Sequence, residues 1–144
     1  MIGQKGLDLI KSFESFSSQE YICPAGKRTI GYGHVCREDE HYPLGITPAE
    51  AEEILLDDIV EAEKPIIKLL EKIPLSGNQY DALVSLVYNI GSEAFETSLM
   101  HSYLMARDYV SAAGEFTRWC KVRKKGVKGL LNRRIKELKF FNEE

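Results

Sequence analysis

No run of about 18 apolar residues occurs anywhere in the chain, so a membrane-spanning helix is not expected. The first residues, MIGQKGLDLIKSF, lack the basic-then-apolar order of a signal peptide or anchor, and the reading is a soluble protein made in the cytoplasm. Cysteine is scarce: Cys23, Cys36 and Cys120 are odd in number and irregular in spacing, which argues against a full disulfide framework and for thiols at synthesis. With His34 and His41 they offer no C-x-x-C or H-x-x-H spacing, so neither a metal nor a cofactor is expected. Repeats and low-complexity stretches are also missing, which excludes solenoids and flexible linkers.

What is present suffices for one catalytic or binding unit: 144 residues at 44% hydrophobic composition can bury one domain of two lobes sharing a helix. The net charge of −3 hides an asymmetry. From Glu38 to Glu63 the formally charged residues are all acidic, whereas Arg118 to Lys139 is rich in Lys and Arg with only Glu137 against them. Such a tail can face an anionic polymer. It carries no helix-turn-helix pattern, zinc-finger spacing or aromatic strand signature, so nucleic acid is not the expected partner.

In GLDLIKSFES, Leu7, Ile10 and Glu14 fall at i, i+3 and i+7, which places a carboxylate on the apolar stripe of a first helix. From Ser17 to Ile46 helical periodicity disappears and Pro24, Gly26, Gly31, Gly33, Pro43 and Gly45 punctuate short strands, the signature of a small antiparallel sheet. TPAE at 47–50 starts a helix with Thr47 as N-cap and Glu50 closing a capping box; its apolar stripe runs to Ile66, with a kink or an interruption expected near its end at Pro65. SGNQ at 76–79 caps a very apolar helix that Gly91 can end, and further helices are expected around 93–105, 110–119 and 130–141. The expected organisation is therefore α+β: a first helix and β lobe over about 1–46, a linking helix over about 47–72 and an all-helical lobe over about 73–144.

Strand periodicity puts Thr29, Gly31 and Gly33 on one face, where bare backbone lets a bulky ligand approach, and Ile30, Tyr32 and His34 on the other. Glu14 is the carboxyl whose apolar surroundings would favour its neutral form, as a proton donor requires. Glu20 and the acids at 38–40 read as exposed hairpin and loop residues, and Trp119 as core.

The segments FES (13–15), YICPAGKRTIGYGH (21–34), ITPAEAEEILLDD (46–58), SGNQYDALVSLVYNIG (76–91) and GLLNRRIKEL (129–138) resemble the phage-type lysozymes, the endolysin muramidases, over nearly the whole chain. Glu14, Cys23 and Thr29 fit the spacing of that family's catalytic signature. The resemblance implies a lysozyme-like fold with a cleft between its lobes, and hydrolysis of the β-1,4 bond between N-acetylmuramic acid and N-acetylglucosamine in peptidoglycan. Glu14 would be the general acid. It further implies substrate contacts by Asn89, Asn132 and Arg133 beside Gly31 and Gly33, and a structural ion pair of His34 with Asp58, expected to raise the histidine pKa and depress the aspartate's. A monomer acting on the wall in the periplasm, delivered by a separately made holin, completes the expectation. For Cys23 three roles stay open: holding the attacking water with Thr29, acting as a nucleophile, or shaping the turn. A lytic transglycosylase and an inactive peptidoglycan-binding module remain the alternative functions.

Overall fold

The computed structural model describes residues 1–122, 125, 126 and 128–143. Two compact units emerge, a sheet unit of Asp8–Glu61 and a helical unit of Met1–Leu7 with Ala62–Glu144. The chain passes from one to the other within helix α1 (Gln4–Phe13) and again within helix α2 (Pro48–Leu70).

In the sheet unit, strands β1 (Ser17–Ile22), β2 (Arg28–Gly31) and β3 (His34–Val35) form an antiparallel sheet in chain order. Pro24 restricts the β1–β2 turn, Gly26 donates to the Cys23 carbonyl at 2.8 Å, and its φ of +79° is one that glycine adopts without penalty. The expected continuous strand through His34 does not form. Positive φ at Gly31 and Gly33 reverses the chain at Tyr32–Gly33, so that Ile30 pairs with His34 and Thr29 with Val35. Ile30, Ile46 and Ala51 make the core, with Tyr32, Cys36, Tyr42 and Ile54 packed on them.

Helix α2 opens on the capping box, Thr47 and Glu50 exchanging side-chain to backbone bonds of 3.1 and 3.2 Å. It also runs through Pro65 to Leu70, so of the kink or interruption expected there the interruption does not occur. A proline inside a helix costs about 3 kcal/mol. Ile66 and Leu69, both essentially fully buried just beyond it, return about 1.5–3 kcal/mol each, and the stripe wins.

In the helical unit, α3 (Gly77–Ile90) starts at a reciprocal Ser76–Gln79 capping box and is buried without a break from Tyr80 to Val87. Gly91 ends it at φ +91°, its amide donating to the Val87 carbonyl. The helix expected over 93–105 is two, α4 (Ser92–Glu96) and α5 (Leu99–Met105), because the Ser98 hydroxyl accepts from the His101 amide and so caps a new helix. That expected over 110–119 is α6 (Tyr109–Gly114) followed by a 3-10 turn, Phe116–Arg118. A two-stranded ladder of β4 (Lys121–Val122) and β5 (Lys125–Gly126) corrects the all-helical expectation. Helix α7 (Lys128–Asn142) closes the chain, with Phe141 edge-on to Phe116 at 5.4 Å between ring centres. Among the described residues no helix is long and apolar enough to cross a membrane.

The first residues belong to this unit because Asp81, buried in α3, accepts from the Gly3 amide at 3.0 Å and lies against Gly6. A Cβ on Gly6 would come within 2.6 Å of the Asp81 Cγ. Helix propensity alone favours Gly→Ala by about 1 kcal/mol. Overpacking a buried site costs about 1–3 kcal/mol, so Gly6→Ala is expected to destabilise. Gly129→Ala in α7, where a Cβ meets nothing within 4 Å, is expected to be neutral or stabilising by up to about 1 kcal/mol. Urea denaturation of the two variants checks the pair; a stabilised Gly6→Ala would refute the packing argument.

Candidate active site

Glu14 follows the last turn of α1, its amide bonded to the Ile10 carbonyl at 3.0 Å. Its carboxylate lies against the turn glycine: a Cβ on Gly33 would stand 2.8 Å from Glu14 Oε2. Gly33 is thus the residue that lets the carboxylate approach the β2–β3 reversal. Gly31 has a different role from the one its sequence suggested. It is buried, and its bare side faces the Ile46 Cδ1 and Ala51 Cβ at 3.3 Å, so the missing side chain serves packing against α2 and not ligand approach.

Cys23 sits at the end of β1, its amide donating to the Lys27 carbonyl at 2.9 Å. The Lys27 amide and the Thr29 hydroxyl stabilise the anionic sulfur and lower the thiol pKa. Thr29 is 2% exposed, and its hydroxyl donates to the Lys27 carbonyl at 3.0 Å. The single hydroxyl proton thus has two acceptors in reach, the Lys27 carbonyl and the Cys23 sulfur, and the oxygen keeps its lone pairs for a further donor. Tyr21, paired with Thr29 across the β1–β2 ladder, has its phenol pKa raised by burial and by the negative charge of Glu14 and Cys23. Cys23, Cys36 and Cys120 are free thiols.

His34 bridges two acids: its Nδ1 lies 2.7 Å from Asp58 Oδ2 and its Nε2 3.1 Å from Glu40 Oε2. The expected depression of Asp58 is not found. Burial outweighs the histidine and raises its pKa. The acid drawn down is Glu40, to about 2, by the Arg37 amide first and then by Tyr42 and His34; the shared bond pushes the Tyr42 phenol up to about 12. Glu40 and Glu20 are therefore not exposed loop acids. Glu20 accepts from the Arg28 guanidinium and, at 2.9 Å, from the Tyr42 amide, which lowers its pKa. Arg28 in turn donates at 2.9 Å to the carbonyls of Arg37 and Glu40, holding the 36–42 loop closed.

The remaining candidates lie in the helical unit. Asn89 is exposed in the last turn of α3, Asn132 is exposed on α7, and Arg133 beside it is buried. Arg133 donates through Nε to Glu137 Oε2 at 3.3 Å and through Nη2 to the Ser85 carbonyl at 3.1 Å. Half-buried Trp119 lends its carbonyl to Arg134 at 3.4 Å. Arg134 and Glu137 are fully buried and close at 2.6 Å, so this part of the basic block is interior; Arg123 and Lys124 lie outside the described residues. Sequence reasoning missed Ser85, Arg134 and Glu137. The available signal was that Leu130, Arg134, Glu137 and Phe141 share one helical stripe, two of them charged.

The family description Phage lysozyme matches residues 11–137. Over 146 residues the chain is 40% identical to the endolysin of Acyrthosiphon pisum secondary endosymbiont phage 1, covering 97% of each. It is 41% identical over 143 residues to the endolysin of Bacillus phage PZA, covering 98% of this chain and 55% of that one, so it spans about half the length of that relative. The solved endolysin from Escherichia coli O157:H7 phage FAHEc1 superposes with a TM-score of 0.88 at 34% identity, over 99% of this chain and 94% of that one.

The Glu40–His34–Asp58 bridge gives stability a defined pH dependence. Glu40 is more acidic folded than its ordinary 4.5, so its stabilisation is present above about pH 4.5 and lost as pH falls through about 2. Asp58 has the opposite sign: raised above 3.8, its contribution is present below that pH and lost as pH rises through the folded value. Glu40→Gln is expected to cost about 1–3 kcal/mol at pH 7 and to flatten the acid limb of a melting-temperature profile, while Asp58→Asn steepens it. An unchanged acid limb in Glu40→Gln would count against the bridge.

Proposed function

Because this chain belongs to the phage lysozyme family, we propose that it is an endolysin cleaving the β-1,4 bond between N-acetylmuramic acid and N-acetylglucosamine in bacterial peptidoglycan. The observation that carries the reading is that the Glu14 carboxylate lies against Gly33 while the Cys23 sulfur meets the Thr29 hydroxyl, in residues at the family's spacing.

Glu14 serves as general acid, giving its proton to the leaving glycosidic oxygen. Thr29 holds the attacking water: its one proton goes to the Lys27 carbonyl or the Cys23 sulfur, and a lone pair of its oxygen accepts a hydrogen bond from the water and orients it. Cys23 supplies negative charge beside the sugar as positive charge develops there, and its lowered pKa supports that task. Gly33, Asn89, Asn132 and Arg133 contact the glycan, and His34 with Asp58 stiffens the sheet unit. A lytic transglycosylase needs no held water, and a binding module needs no acid; the presence of both groups favours the hydrolase. Acting on the periplasmic wall, a monomer of this kind would be delivered through a holin lesion.

Clearing of outer-membrane-stripped cells tests the reading. Glu14→Gln is expected to keep the fold and lose at least about 100-fold in activity. Cys23→Asp is expected to retain substantial activity and Cys23→Ala to lose most of it, since a carboxylate can replace the anion and a methyl cannot. Released fragments should carry reducing ends. Anhydro ends would indicate the transglycosylase, and a sugar adduct on Cys23 by mass spectrometry would make the thiol a nucleophile.

A further inference from the structure

Three charged side chains of one helix, Arg133, Arg134 and Glu137, are each 5% exposed or less. Taking charges out of water costs several kcal/mol per ion unless geometry and hydrogen bonds compensate. The spacing explains how one carboxylate serves two cations: Glu137 is four residues from Arg133 and three from Arg134, the two separations at which helical side chains meet. Its Oε1 turns to Arg134 Nε at 2.6 Å, and its Oε2 takes Arg133 Nε at 3.3 Å together with the Ser85 hydroxyl.

Ser85 meets this group twice. Fully buried in the middle of α3, it gives its hydroxyl proton to Glu137 and its backbone carbonyl to Arg133 Nη2 at 3.1 Å. A helical carbonyl has a second lone pair, so it can accept from the guanidinium without leaving the helix. Two donors of Arg133, Nε and Nη2, are thereby tied to two elements, and a planar group held at two points has its direction fixed. Asn89 stands one turn along α3 from Ser85 and Asn132 adjoins Arg133, so the same anchor sets the spacing of α3 against α7 where both asparagines sit.

We propose that Ser85 and Glu137 are positioning residues for substrate binding by Arg133, an inference that rests on the glycan-contacting role given to Arg133 above. Ser85 does not touch the glycan; it acts by holding the carboxylate and the guanidinium in register. A lysine at 133 would not substitute, since it lacks the fork that spans Glu137 and the α3 carbonyl.

A double-mutant cycle on kcat/KM with soluble peptidoglycan fragments tests this, using Ser85→Ala, Arg133→Gln and the combination, each confirmed folded by circular dichroism. Ser85→Ala is expected to lower kcat/KM about 5-fold with Arg133 present and less than about 2-fold with Arg133→Gln, the signature of a residue acting through another. Ser85→Cys, of nearly the same size and with a weaker donor, gives the same cycle if the alanine variant does not fold, with a smaller loss. Equal losses in both backgrounds would overturn the proposal, as would a Ser85→Ala enzyme with lowered melting temperature but unchanged kcat/KM. An Arg133→Gln enzyme as active as wild type would overturn it too, and Glu14→Gln in the same assay then reports separately whether the hydrolase reading stands.

Discussion

A carboxylate taken out of water must find donors, and that constraint organises both units of this protein. In the sheet unit, Glu40 collects the Arg37 amide, the Tyr42 hydroxyl and His34, while Glu20 collects Arg28 and the Tyr42 amide. In the helical unit, Asp81 fastens the first residues of the chain through the Gly3 amide, Glu63 receives the Tyr80 hydroxyl, and Glu137 joins α7 to α3 through Ser85. Each of these acids fixes a segment that apolar packing alone would leave less specified, because a hydrogen bond has a direction and hydrophobic contact does not.

The candidate catalytic groups depend on turn chemistry within that frame. The Cys23–Gly26 turn brings the Lys27 amide to the sulfur, and the antiparallel register then sets Thr29 opposite Tyr21. The second reversal, at Tyr32–Gly33, brings a residue without a side chain under the Glu14 carboxylate. Backbone geometry that only glycine tolerates easily thus makes the room in which the acid sits. The lowered thiol pKa has the same origin: amide and hydroxyl donors held by the turn, with no nearby lysine or arginine required.

The same physics separates two glycines that look alike in the sequence. Gly31 and Gly33 both have positive φ. Gly31 is pressed against Ile46 and Ala51 and belongs to the core, whereas Gly33 adjoins a carboxylate. The two arginines of NRRIKE are likewise neighbours of one type with different surroundings: Arg134 is wholly enclosed with Glu137, and Arg133 reaches across to α3.

The sequence by itself determined whatever depends on neighbours close along the chain. Both capping boxes, the amphipathic stripes of α1 and α2, the buried run of α3, the Pro-Gly punctuation of the sheet and the Glu14–Cys23–Thr29 spacing were all legible, since caps, turns and helical periods are local. Even there, local rules stopped short where a longer-range term was larger: Pro65 lies inside a helix because Ile66 and Leu69 are buried beyond it, and residues 93–105 split because Ser98 found an amide to cap. Only the tertiary structure decided which charges are interior. Glu40, Glu20 and Glu137 look like ordinary surface acids until folding brings Tyr42, Arg28 and Ser85 to them, and Asp58 is raised where its histidine partner alone implied the reverse. Desolvation is set by every element packed around a group, and Ser85 reaches Glu137 from 52 residues away. Tyr42 and Arg28 lie only two and eight residues from their acids, but it is the path of the folded loop and hairpin, not the spacing, that aims them.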